Sequence, residues 1–172
     1  IKNHDQVVVF YLYKKSIFEN QEAQKWWLSK SLFNFKKKLN DYNIAVEIIE
    51  TESYKAFFDN LLKKKDFSIY WNKVYEPDYL KFDQQLIKNL TIKNISFKIF
   101  KGNTLNEISK IKKSDGTPFK VFTPYWRNAE KYYIEKIPSK ENIIKKCLRK
   151  KNYFKNCINS EEILPKKNWF KN

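Results

Sequence analysis

The run VVVFYLY at residues 7–13 restricts what this chain can fold into more than any other stretch. Seven consecutive β-branched, aliphatic and aromatic residues, with no polar alternation, are what a strand carries when both of its faces are covered. The segments after it answer that demand. Residues 20–39 set Trp27, Leu28, Leu32, Phe35 and Leu39 at helical spacing, and lysines crowd the last turn, where they suit the helix dipole. A strand is predicted at 44–50, a helix at 53–65 capped by Ser53, and a strand at 67–72. A helix at 76–90 starts near Pro77 with acidic residues around its N-terminus, and a strand at 95–100 closes the series. Strands alternating with helices of this length build a parallel sheet with helices on both faces. Such folds bind ligands beyond the carboxyl ends of the strands, which fall here near Tyr13, Glu50, Asn72 and Lys101. Trp26 and Trp27 cannot share a helix face, so Trp27 is expected in the core and Trp26 toward that crevice.

Composition closes several routes. The only glycines are Gly102 and Gly116, which excludes both a G-x-G-x-x-G turn and a phosphate-cradling P-loop. His4 is the only histidine, which removes most catalytic triads and histidine-based metal sites. The formal charge of +16 fits nucleic acid, anionic ligands or acidic partners. Yet 33 of the 35 basic residues are lysine, whereas bidentate phosphate and base recognition favours arginine, so charge alone does not choose among them. Cys147 and Cys157 can pair only with each other, and in a chain with no signal peptide in view they suit a reducing, cytoplasmic setting. No apolar run is long enough to cross a membrane. The chain has no methionine and is expected to be a piece of a longer product. After about Ile137 the alternation gives way to a lysine-rich stretch, expected as a weakly helical linker.

Four stretches, matching in order, carry a resemblance to the DNA photolyase and cryptochrome family. YWNKVYEPDYLKFD (70–83) resembles that family's strand-to-helix turn, Y-W-N-x-x-Y-E-P followed by a later Asp. KKSDGTPFKVFTPYWR (112–127) is similar to its P-[FY]-x-V-F-T-P-[FY]-W-[KR] segment. KWWLSKSL (25–32) resembles its R-x-F-L-x-x-S-L helix, with Lys25 where arginine is usual, and EEILPKKNWF (161–170) resembles the connector before its second domain. The resemblance implies an α/β fold with a doubly wound, Rossmann-like, parallel five-stranded sheet. IKNHD at the front is similar to the end of the family's opening motif, so the first central strand is expected ahead of Ile1. Residues 1–137 would be the antenna domain, and 138–172 a basic linker toward a helical FAD domain. The implied function is light harvesting for a deoxyribodipyrimidine photolyase, whose full-length flavoenzyme repairs pyrimidine dimers. FAD and the dimer pocket would lie in the second domain, so no repair is expected of this chain alone. Its implied partners are that helical domain and, through the full-length protein, damaged DNA, with no membrane.

On positions matching the family, the pigment groove is expected from Tyr13, Lys14, Lys25, Trp26, Asn72, Glu76, Asp78 and Tyr79, supported by Asp83. Carboxylates there can accept from the ring donors of a folate or deazaflavin, lysines can hold acidic tails, and Tyr or Trp faces suit flat rings. Glu76 and Asp78 equally suit plain helix capping. Lys14 and Lys15 stand where Asp-Pro is common, which leaves the pigment open among methenyltetrahydrofolate, a deazaflavin and FMN, or none. GTPFKVFTPYWR (116–127) holds no general base or nucleophile and is expected as an extended hydrophobic strap stiffened by its prolines, with Arg127 structural or interdomain. Two other readings stay open. One is half of a cryptochrome-type photoreceptor, and the other a basic single-stranded nucleic-acid-binding module resting on the charge and available aromatics.

Overall fold

The apolar run becomes β1, Val8–Tyr13, which pairs in parallel with β2, Ala45–Glu50, from Val8 opposite Ala45 to Tyr13 opposite Glu50. A computed structural model describes residues 4–64, 66–102, 104, 106–132, 152–154 and 156–166. These fall into two compact units that divide within helix α2, Tyr54–Leu61, after Phe57. The first holds the described residues up to Phe57 and those from 152 onward, and the second holds Phe58 to Tyr132.

In the first unit, α1 (Glu22–Asn40) is the crossover between β1 and β2. Alternation along β1 sends neighbouring side chains to opposite faces. On one face Tyr13 packs with Leu28 and Leu32 of α1, Ile48 of β2 and Ile163, and Tyr11 adds to that cluster. On the other, Phe10 meets Phe57 at 5.3 Å and Phe154 at 5.8 Å between ring centroids. Both faces are therefore covered, as the run requires. The C-terminal segment returns here: β5, Cys157–Ile158, pairs antiparallel with β2, and a 3-10 turn at Ser160–Ile163 seats Ile163 in the core at 1% exposure. That turn is fixed by a reciprocal box between Asn159 and Glu162. With a strand on each side, β2 is buried from Ala45 through Ile49, Glu47 included.

The second unit repeats the parallel unit: β3 (Ile69–Asn72), α3 (Pro77–Ile92) and β4 (Phe97–Phe100), with Ile69 opposite Phe97 and Asn72 opposite Phe100. Leu86 and Leu90 of α3 are buried with Leu61, Leu62, Ile69 and Ile111. Helices α1 and α3 end by the same device. Asn43 (φ 57°) and Asn94 (φ 54°) take the left-handed conformation that Asn tolerates. The next amide then turns back, Ile44 to the Leu39 carbonyl at 3.2 Å and Ile95 to the Leu90 carbonyl at 2.9 Å. Ser53 caps α2 as expected, its hydroxyl accepting from the Ala56 amide at 3.2 Å.

Three expectations are corrected. Trp27 is not core: it is 65% exposed, and Phe35 is 43% exposed, because α1 turns Leu28, Ser29 and Leu32 inward and both aromatics lie off that stripe. The 116–127 segment is not extended throughout, since Phe122–Ala129 forms helix α4. Pro124 sits third in that helix, where its missing N–H would have no intrahelical acceptor, so it is compatible with the first turn. Finally, the described residues form a three-stranded sheet, β1-β2-β5, and a two-stranded sheet, β3-β4, rather than one parallel sheet of five. The expectation of a strand ahead of Ile1 bears on no residue of this chain. Of the stretch expected as a linker, 138–151, 155 and 167–172 lie outside the described residues.

Candidate functional site

Each unit gathers polar side chains where its strands end. In the first, Ser16 follows β1 and Glu52 follows β2, and the two loops are tied together. The Ser16 hydroxyl donates to Glu52 Oε2 at 2.6 Å and its amide to Oε1 at 3.3 Å. The hydroxyl bond is the main cause that holds the Glu52 carboxyl below its ordinary pKa. Of the residues named from sequence, Tyr13 is buried and stacks on Phe18 at 5.4 Å. Burial raises its phenol pKa, and Glu50 and Glu52 add to the rise. Lys14 opens the short 3-10 turn Lys15–Phe18, its carbonyl accepting from the Ile17 amide at 3.2 Å. Lys25 donates to the Glu19 carbonyl at 3.2 Å, and Trp26 beside it is half-buried.

In the second unit the strand ends carry a denser network. Glu76 is the N-cap residue of α3 in extended conformation, with Pro77 next, yet its side chain makes no capping hydrogen bond. The plain capping role therefore does not use the Glu76 carboxylate, which is exposed, as are Asn72, Asp78 and Tyr79. Asp83, one to two turns along α3, accepts from the Trp71 indole N–H at 3.1 Å. Burial raises the Asp83 pKa, opposed by the Trp71 bond and by the Lys73 charge.

Sequence reasoning missed the centre of this network. Lys73 donates to Glu107 Oε1 at 2.6 Å, Tyr75 donates to Glu107 Oε2 at 3.2 Å, and the Thr104 hydroxyl reaches the Tyr75 hydroxyl at 3.2 Å. The Lys73 ammonium also lies 5.2 Å over the Tyr75 ring. Gly102 allows the closure, since a Cβ there would stand 2.8 Å from the Lys73 carbonyl oxygen. Lys73 and Tyr75 lie inside the quoted YWNKVYEP motif, but no local pattern links them to Glu107, 34 residues from Lys73. The second unit thus brings Asn72, Glu76, Asp78, Tyr79 and Asp83 to one strand-to-helix turn and its following helix, and the first unit holds Tyr13, Lys14, Lys25 and Trp26. Among the described residues no group of His, Cys, Asp and Glu is placed to hold a metal ion. No helix among them is long and apolar enough to cross a membrane.

Two parallel β-α-β units with polar loops at their strand ends define a mixed α/β protein, and comparison with known proteins supplies the family. Residues 1–142 match the family described as DNA photolyase, and the chain belongs to that family. It is 25% identical over 130 residues to the deoxyribodipyrimidine photo-lyase of Agrobacterium fabrum, a match covering 76% of this chain and 27% of the relative. It is also 25% identical over 105 residues to Cryptochrome-1 of Arabidopsis thaliana, covering 60% and 15%. The crystal structure of a class III photolyase from Agrobacterium tumefaciens superposes with a TM-score of 0.70 at 22% identity, covering 96% of this chain and 34% of that one. The chain therefore spans about a quarter of the photolyase relative and about a third of the solved neighbour.

Proposed function

We propose that this chain is the antenna domain of a photolyase, binding a light-harvesting pigment that serves a flavin elsewhere in the full-length protein. The observation that carries the reading is the exposed turn at the head of α3, where the Glu76 carboxylate is not spent on capping. An acceptor there suits the ring donors of a folate or deazaflavin, with Asp78 and Tyr79 beside it and Asp83 anchored by Trp71. Family membership supports the same reading. When bound, the pigment would absorb light and pass excitation to FAD by dipole coupling; the share of this chain is binding and orientation.

The full-length protein would then repair pyrimidine dimers in DNA through a C-terminal helical FAD domain, with the stretch from 138 leading toward it. The 172-residue chain alone would carry no repair activity. Similarity to Cryptochrome-1 favours a second reading, half of a blue-light photoreceptor, with the same antenna role for this domain.

The test is fluorescence titration of the purified chain with methenyltetrahydrofolate, a deazaflavin and FMN in turn, repeated in Glu76→Ala. Saturable binding of one pigment, weakened at least about tenfold by Glu76→Ala, supports the reading. Binding indifferent to Glu76 would move the site away from the α3 turn.

A further inference from the structure

We propose that the outer face of α1 is a landing surface for single-stranded nucleic acid, a role separate from the pigment site proposed above. From Ala23 to Asn40 the sequence holds five lysines and no aspartate or glutamate. Lysine makes up five of these 18 residues, against 33 of 172 in the whole chain. Helical periodicity separates the residues cleanly. Leu28, Ser29 and Leu32 face the core, whereas Trp27, Asn34 and Lys38 line the opposite side with Lys30 and Lys37 alongside. At the helical rise per residue, this stripe runs about 16 Å from Trp27 to Lys38.

Its aromatics are offered to solvent. Trp27 is 65% exposed, Phe33 49% and Phe35 43%. Beside the stripe lies an open hollow of about 500 Å³ lined by Leu28, Ser31, Leu32, Asn34, Phe35 and Lys38. The chemistry selects among partners. Protein interfaces favour aromatics but are depleted in lysine. A helix lying on a membrane sinks its apolar stripe into the lipid, but the apolar stripe of α1 is already committed to Tyr13, Ile48 and Ile163. An exposed indole on the same face as several ammonium groups matches a strand of unpaired bases, one of which stacks on Trp27 while the lysines follow the phosphates. Bases inside a duplex offer no face for that stacking. The contact reads neither sequence nor lesion, because every base has a π-face and arginine, the usual base-reading cation, is absent from α1.

The experiment is fluorescence anisotropy of a fluorescein-labelled oligothymidylate with the 172-residue chain across a salt series. Trp27→Ala is expected to weaken binding about tenfold, and Trp27→Phe to recover most of the loss. Combined Lys30→Gln, Lys37→Gln and Lys38→Gln is expected to lower the log–log salt slope by about 2. The matched set Lys81→Gln, Lys88→Gln and Lys93→Gln, on and just after α3, should leave the slope nearly unchanged, with circular dichroism verifying helix content in each variant. The proposal is overturned by no binding at low salt, by equal losses from the two lysine sets, or by indifference to Trp27→Ala. Tighter binding to phosphatidylserine vesicles than to the oligonucleotide would overturn it in favour of a membrane surface.

Discussion

The Lys73 ammonium and the Glu107 carboxylate, 2.6 Å apart, join the turn after β3 to the segment after β4. Their hydrogen bond is the main cause that lowers the Glu107 pKa and raises that of Lys73. The stabilisation is complete between the unfolded-state values of the two groups. It is lost as pH falls through the lowered Glu107 value, and again as pH rises through the raised Lys73 value. Both side chains are partly exposed, so the pair contributes no more than about 1 kcal/mol. Thermal unfolding across pH is expected to show a flatter profile in Glu107→Gln in both windows. Superimposable profiles for mutant and parent would mean that the pair carries no net stability.

Gly102 has no room for a side chain. A Cβ would meet the Lys73 carbonyl oxygen at 2.8 Å and the Asn72 Cβ at 3.4 Å. Gly102→Ala is expected to lower stability by about 1–3 kcal/mol, read from the urea midpoint, by forcing the β3 and β4 ends apart. Gly116→Ala meets nothing within 4 Å, and only the positive φ of 80° opposes it, so its cost should stay near 1 kcal/mol. Equal effects would show that the β4 end shifts freely.

Glu47 ties the returning C-terminal segment to the sheet. Buried in the middle of β2, its carboxylate accepts from the amides of Tyr153 at 2.7 Å and Phe154 at 2.9 Å. Glu47→Ala removes both acceptors and is expected to cost roughly 2–4 kcal/mol. Hydrogen exchange at the Tyr153 and Phe154 amides should accelerate more than exchange in β1. Uniform acceleration throughout the first unit would mean that Glu47 supports the whole core rather than this attachment.

Cys157 is an exposed residue with a free thiol whose pKa is pushed up to about 11, first by partial desolvation of the sulfur and then by Glu47, whose Oε2 lies 3.4 Å from it. In a Cys147→Ser background, its alkylation by iodoacetamide near pH 8 should run on the order of tenfold slower than that of an unperturbed thiol, the scarcer thiolate being partly offset by its greater nucleophilicity. Adding Glu47→Gln should speed it. A rate equal to that of a free cysteine peptide would contradict the placement.

Much of the architecture was legible because local rules and packing agree here. The run at 7–13 forms a covered strand, Ser53 caps its helix, and Pro77 opens α3. What escaped depended on groups far apart in sequence or on rules that compete. Proline at 124 reads as a breaker until its place in the first helical turn is known. Trp27 scores as core by hydrophobicity, yet one step of helical phase puts it outside. Glu47 looks like a polar interruption of AVEIIE until the amides 106 and 107 residues onward are seen to need its oxygens. Lys73 and Glu107 meet for a similar reason, because a parallel crossover brings the ends of β3 and β4 together.

The central claim, that this domain binds an antenna pigment, is tested most directly by gel filtration of the chain mixed with each of methenyltetrahydrofolate, a deazaflavin and FMN, with near-UV and blue absorption followed across the protein peak. The account predicts that one pigment co-elutes at a fixed stoichiometry. Protein peaks free of pigment absorption in all three runs, repeated with the full-length protein, would contradict it.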